Sequence, residues 1–334
     1  MDRKVAEAFK EGSWMFLKAP LIKGRRSGLF GYVLRRLLEM IPTILGVTVI
    51  SFSMIHFVPG DPAVLLAGSE ATQEIIEKIR DNYGLNKPLV IQYLDYMARL
   101  VRGDFGISIW TRKPVSELLA QRYWVTMKLA LMSIVIAFVV GIFPGVIAAT
   151  RQYSFFDYFS MVVTLFGISM PIFWIGLLLM LFFSVKLGLF PAGGGTDLYT
   201  LVLPAISLGA SSAALIARIT RTSMLEVIRQ DYVRTARANG LREGIVIYKH
   251  ALKNAMIPIT AVVGLQFGYL LGGTVLVEVV FSIPGMGKLL VDSIFQRDYP
   301  VVQSSMVLIS LSFVMVILLT DIAYSFFDPK MRPK

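Results

Sequence analysis

Residues 126–150 read TMKLALMSIVIAFVVGIFPGVIAAT, a run of 25 residues whose one charge, Lys128, lies at its third position. At about 1.5 Å per residue, such a helix is longer than the roughly 30 Å of hydrocarbon in a bilayer. Working outward, comparable apolar stretches occupy 37–58, 158–185, 201–219, 257–280 and 301–327, which with 126–150 makes six. Glycine and proline inside them (Pro42, Gly46, Gly141, Pro144, Gly167, Pro171, Gly264, Gly272) are common in membrane helices. Pro171 is expected to bend the third stretch, because its ring removes a hydrogen bond and crowds the preceding turn. Over the whole 334-residue chain, 55% hydrophobic and 16% charged residues carry more apolar surface than one water-soluble domain can bury.

A formal charge of +11 has two readings, nucleic-acid binding and membrane orientation, and the placement of the cations decides between them. Residues 1–36 hold nine Lys and Arg against three acids, and 218–253 hold eight against three. The intervening segments are balanced: eight against eight in 59–125, one against one in 186–200, two against two in 281–300. Alternating sides through six spans puts each strongly basic segment, including the tail with Lys330, Arg332 and Lys334, on the cytoplasmic side. The expectation is therefore an all-α, multi-pass protein of a prokaryotic plasma or inner membrane, with both termini cytoplasmic and no nucleic-acid partner. No short apolar run ending in small residues marks the amino terminus as a cleavable signal. The chain has no cysteine, which excludes disulfides, thiolate metal sites and thiol catalysis. His56 and His250 are too far apart in sequence to suggest a metal site.

The connection 59–125 is too long for a bare loop and should fold as a helical extracytoplasmic insertion. Ile91, Leu94, Met97, Ala98 and Val101 recur at helical spacing with Gln92, Asp95 and Arg99 on other faces, and 74–80 is a second helical candidate. This insertion reads either as a lid packed on the spans or as a contact surface for a delivered substrate or external partner. On the opposite side, 218–257 is longer than a link between the fourth and fifth spans requires. Tyr232, Val233, Ala236 and Leu241 offer a short apolar face beside Arg234, Arg237 and Arg242, and Gly240 sits where a helix can end in a left-handed turn. Two readings stay open for it, a protein docking site and an amphipathic helix on anionic lipid.

The run Asp231-Tyr232-Val233-Arg234-Thr235-Ala236-Arg237-Ala238-Asn239-Gly240-Leu241, followed by His250-Ala251-Leu252-Lys253-Asn254-Ala255 and Pro258, resembles the cytoplasmic signature loop of ABC importer permeases. More narrowly it resembles the first permease of the dipeptide, oligopeptide and nickel transport family. Arg35-Arg36, Pro59-Gly60-Asp61-Pro62, Tyr83 to Leu89, Arg102-Gly103-Asp104-Phe105-Gly106 and Glu278 to Gly287 agree in order, so the match runs from about Gly31 to Pro329. The resemblance implies a type I importer fold of six spans. Within it 31–58 is the first span, 59–125 the insertion, 126–327 the core and 328–334 the tail; residues 1–30 lie outside the resemblance and read from their own residues as a basic cytoplasmic extension, in which Trp14 to Leu17 among lysines suggest an interfacial helix. The resemblance also implies a pore subunit without catalysis or cofactor, ATP and magnesium being held by two cytoplasmic ATPase subunits. The other partners implied are a second homologous permease, an extracytoplasmic solute-binding protein and membrane lipid. Tyr232, Arg234, Ala236, Arg237, Gly240 and Leu241 would lie at or near the ATPase contact. The general importer signature begins Glu-Ala-Ala where this chain has Arg234-Thr235-Ala236, so the acidic anchor is missing at that place.

The resemblance implies short peptides as the cargo, with oligosaccharides or nickel as the alternatives. Phe166, Ser169, Phe173, Gln266 and Tyr269 are pathway candidates, against ordinary helix packing. Gly285-Met286-Gly287-Lys288 is not a phosphate loop, since Ser282 and Leu289 stand where Gly and Ser or Thr are needed. Gly193-Gly194-Gly195 reads as a flexible outer loop. An ion-coupled carrier, the competing class, needs ionisable groups deep in the spans. Glu39, Lys128 and Asp321 lie toward span ends, and His56 and Glu278 toward the outer side. Glu278 is kept as a pathway candidate against the reading that it caps a helix end.

Overall fold

The computed structural model describes residues 29–57, 61–68, 71–82 and 84–327. The expected interfacial helix around Trp14 and the basic tail lie outside them, as do the side chains of His56 and Asp321. Among the described residues twelve helical elements follow one another: α1 (Leu29–Phe57), α2 (Pro62–Ala67), α3 (Gln73–Asn82), α4 (Leu89–Val101), α5 (Val115–Thr150), α6 (Phe155–Ser169), α7 (Ile172–Lys186), α8 (Val202–Ile228), α9 (Asp231–Ala238), α10 (Glu243–Val280), α11 (Met286–Phe295) and α12 (Tyr299–Phe327). Five of these, α1, α5, α8, α10 and α12, are long and apolar enough to cross a bilayer.

The third apolar stretch is not one helix. α6 and α7 meet at 107°, and counting the pair as one span brings the total to six. Met170 is extended (φ −78°, ψ 134°) and Pro171 opens α7. A proline disfavours the helical conformation of the residue before it, so the expected bend becomes a break. The fourth stretch departs in the other direction, because α8 continues past 219 to Ile228 and takes Arg218 and Arg221 into the helix.

At the centre, α5 lies along α8. A β-carbon on Gly141 would sit 2.7 Å from Ile216 Cγ2, one on Gly145 2.7 Å from the Ala217 carbonyl oxygen, and one on Gly209 2.7 Å from that of Ser133. The pair Gly141 and Gly145 is a G-x-x-x-G spacing, which lets two backbones approach where lipid supplies no hydrophobic drive. α10 packs on α8 and α12, and α12 carries α1. One buried cluster joins α5 (Ala137, Val146), α8 (Ile216, Met224), α9 (Val233, Ala236) and α10 (Val246, Ala251, Ile259).

The segment between α1 and α5 is helical, but its faces are inverted from the expectation. Gln92 is buried, while Leu94 is 59% and Val101 82% exposed. Gln92 Nε2 donates to the carbonyls of Leu85 (3.1 Å) and Lys87 (2.8 Å), and Tyr93 and Tyr96 pack on Phe52. Two satisfied hydrogen bonds and two aromatic contacts outweigh the aliphatic stripe. The glycine triplet is likewise packed, since a β-carbon on Gly193 would overlap the Phe281 carbonyl and the Gly194 N–H donates to it at 2.9 Å.

Gly145→Val should lower stability by about 1–3 kcal/mol through overpacking. Gly46→Val, where nothing lies within 4 Å of an added β-carbon, should be near neutral. Thermal unfolding of the two variants in detergent checks the pair.

Candidate functional site

α9 is a short amphipathic helix held against the start of α10. Val233 and Ala236, one turn apart, are buried against Val246, Ile247 and Ala251. These three belong to a π-helical turn, Val246–Ala251, that widens α10 beneath α9. Ala236 therefore brings α9 close to its own chain. Gly240 ends the helix as its position suggested, in a left-handed conformation (φ 75°). Its N–H bonds to the Arg237 carbonyl (2.9 Å) and that of Leu241 to the Ala236 carbonyl (3.4 Å), the paired bonds of a Schellman turn.

That reversal brings Glu243 beneath Arg237. The guanidinium donates through Nε (3.1 Å) and Nη2 (2.8 Å) to the two carboxylate oxygens. The bidentate carboxylate pushes Arg237 further above the ordinary guanidinium range. Tyr232 Oη accepts from Asn254 Nδ2 at 2.9 Å, a second tie to α10. Arg234 stands out in solvent beside Asp231, and Leu241, Ile245 and Tyr248 are 40–56% exposed on the same end of the molecule. The result is a rigid knob with an apolar and cationic outer face.

Of the pathway candidates, three lie at the α6–α7 junction and three on α10. Phe166, Ser169 and Phe173 flank the α6–α7 break with exposed side chains, and Tyr269 on α10 is also exposed. Gln266 is half-buried and donates to Ser212 Oγ of α8 at 2.9 Å, so part of its polar group is spent on packing. Glu278 is fully buried at the far end of α10. It accepts from Thr126 Oγ1 of α5 at 2.5 Å and from the Lys288 N–H of α11 at 3.0 Å. Thr126 Oγ1 in turn accepts from the Met286 N–H at 2.8 Å. A carboxylate at a helix N-terminus meets unpaired N–H groups and the positive end of the dipole. Gly285 lies against that carboxylate with no room for a β-carbon, which accounts for the Pro284-Gly285-Met286-Gly287 turn. Glu278 thus fastens α10 to α5 and α11.

Two further fastenings were not singled out from the sequence. Arg221 of α8 grips Asp157 of α6 through two bonds of 2.7 and 2.9 Å, and Asp157 is 1% exposed. Asp298, 2% exposed between α11 and α12, accepts from Ser108 Oγ (2.5 Å), Ile109 N (3.1 Å) and Trp110 N (3.3 Å), pinning the loop ahead of α5. Acids within or just outside apolar runs are the signal for both, because isolated carboxylates are too costly to bury there.

With this geometry, residues 137–333 match the family described as binding-protein-dependent transport system inner membrane component, and 29–130 match its amino-terminal component. The chain belongs to this family. It is 45% identical over 306 residues to the glutathione transport system permease proteins GsiC of Escherichia coli and of Shigella dysenteriae, covering 92% of this chain and 100% of each relative. Among solved structures, the methionine ABC transporter MetNI in an inward-facing form superimposes with a TM-score of 0.54 at 19% identity, covering 63% of this chain and 96% of the other. That likeness shows the importer-permease fold. The protein is thus a non-catalytic membrane subunit of a bacterial ABC importer, a permease of the dipeptide, oligopeptide and nickel transport family, which implies ATPase and solute-binding partners.

Glu243→Gln in this permease should loosen α9, raising its amide exchange by roughly 2–5-fold, because an exposed pair is worth only about 0.5–1 kcal/mol. Arg237→Glu with Glu243→Arg should restore protection. Hydrogen exchange read by mass spectrometry checks both.

Proposed function

We propose that the permease translocates short peptides by alternating access, with α9 as the coupling helix that receives the stroke of a cytoplasmic ATPase. The observation that carries this reading is the build of α9: a cationic and apolar outer face on a helix seated on α10 by Val233 and Ala236 and tied to it by Arg237 and Tyr232. A purely structural loop needs no such outward face. Arg234, Tyr232 and Leu241 are the contact groups of the proposal, Arg234 pairing with acidic groups on the partner in place of the missing acidic anchor. Gly240 shapes the turn, and Ala236 and Arg237 hold the helix.

In this mechanism, peptide arrives from a solute-binding protein on the outer side and enters between this chain and a second, similar permease. It leaves inward when ATP binding moves both coupling helices. The work is supplied by the differential affinity of the ATPases for the two states, since an equilibrium shifts only as far as something binds one state better. The surface around the α6–α7 break, with Phe166, Ser169 and Phe173, is the proposed wall of the pathway, together with Tyr269 on α10. The basic segments support a cytoplasmic side for α9 and both termini. Peptide is favoured over oligosaccharide or nickel by 45% identity along the whole of a glutathione permease.

The complex reconstituted in vesicles should take up di- and tripeptides only with ATP. Gly240→Asp should stop that uptake while leaving the chain inserted, because it strains the left-handed turn (φ 75°) that ends α9 and adds a carboxylate where the partner docks. Unchanged uptake in this variant removes the assignment of α9, and uptake driven by a proton gradient without ATP removes the importer mechanism.

A further inference from the structure

We propose that the cleft between the inner ends of α6 and α8 binds an anionic phospholipid, phosphate toward the cytoplasm and acyl chain toward the bilayer centre. The proposal takes from the preceding section only the orientation of the chain. The cleft encloses about 280 Å³. Its direction follows from the antiparallel pairing of the helices. Asp157 meets Arg221 at the inner end, and higher up Gly167 faces Ala214, whose Cβ would lie 3.0 Å from an added β-carbon. Around the inner end stand Ser160, Arg218, Arg221 and Thr222; Leu165 and Ile168 line the wall further up. A polar, cationic mouth at interface depth and an apolar wall above it match an amphiphile in its bilayer orientation.

The charges are unequally committed. Arg221 spends two donors on Asp157, which cancels its charge and fixes the helices at the mouth of the cleft. Arg218, one turn deeper on the same face of α8, is exposed and has no carboxylate partner among the described residues. A lone guanidinium at the end of a membrane span is costly unless it meets water or an anion. Basic pockets between spans on the cytoplasmic side fit phosphate headgroups. The hydroxyls of Ser160 and Thr164 line the same cleft and supply further donors. A peptide fits less well. Its ammonium would need an acid, and Asp157 is 1% exposed and already engaged, while above Thr164 the wall is Leu165 and Ile168, with no further polar side chain to meet a backbone.

The test is native mass spectrometry of the full importer complex released from nanodiscs of phosphatidylethanolamine with or without phosphatidylglycerol. The intact complex should retain phosphatidylglycerol, and Arg218→Gln should lower that retention roughly fivefold, the loss of one cation–phosphate contact. Arg218→Lys should keep it. Leu165→Trp, which fills the apolar wall and leaves the cation, should also lower it. Equal retention in Arg218→Gln overturns the proposal, as does equal retention of phosphatidylethanolamine. A raised KM for peptide uptake in Arg218→Gln with lipid retention unchanged assigns the cleft to substrate instead. Failure of ATP-driven peptide uptake in the unmutated complex would strike at the transport reading and leave the lipid measurement standing.

Discussion

Hydrocarbon offers no water to a broken backbone, so a helix that must carry movement across a bilayer has to stay hydrogen-bonded along its whole length. α10 runs through 38 residues, at most about 57 Å of rise, from Glu243 to Val280, its ladder altered only by the π-turn at Val246–Ala251 and the missing N–H of Pro258. Each end carries a carboxylate that ties it to something else. Glu243 holds α9 through Arg237 at one end, and Glu278 holds α5 and the α11 turn at the other. α8 and α12 are packed along this rod, and α1 packs on α12 and α4.

The polar groups buried in the bundle follow the same logic. Glu278, Asp298 and Asp157 are each nearly inaccessible, and each accepts several bonds from a different element, so that a break in sequence is closed in space. Where no polar fastening exists, as along α5 and α8, close approach at Gly141, Gly145 and Gly209 supplies dispersion contacts instead. The α6–α7 break is the exception. It interrupts a span and leaves aromatic side chains uncovered, which suits a surface that faces a cavity or another subunit better than one that bears load.

Much of this was legible in the residues. Five of the six apolar stretches became long helices, and Gly240 adopted the left-handed turn its position suggested. The alternation of basic and balanced segments needed no structure to be seen. The inversion of α4 was hidden because hydropathy weighs Ile91 and Leu94 but not the hydrogen bonds of Gln92 to two carbonyls in the preceding turn. Pro171 announced a bend, yet an angle of 107° depends on how α7 packs on α8 and α10. Arg221 counted as one more cytoplasmic cation until α8 proved to run on to Ile228 and to bring it against Asp157. Ion pairs between distant segments have no local period, and the ties of Asp157, Asp298 and Glu278 to α8, to the loop before α5 and to Thr126 could not be read from spacing alone.

The proposed coupling through α9 requires that α9 and the inner end of α10 move as one body. The chain contains no cysteine, so paired spin labels can be placed without background. Labels at Thr235 on α9 and Lys249 on α10, measured by pulsed electron resonance in the reconstituted importer, should keep the same distance with and without ATP. A second pair, at Lys249 and Val162 on α6, should shift. A Thr235–Lys249 distance that changes with nucleotide while the second pair stays fixed would contradict the account.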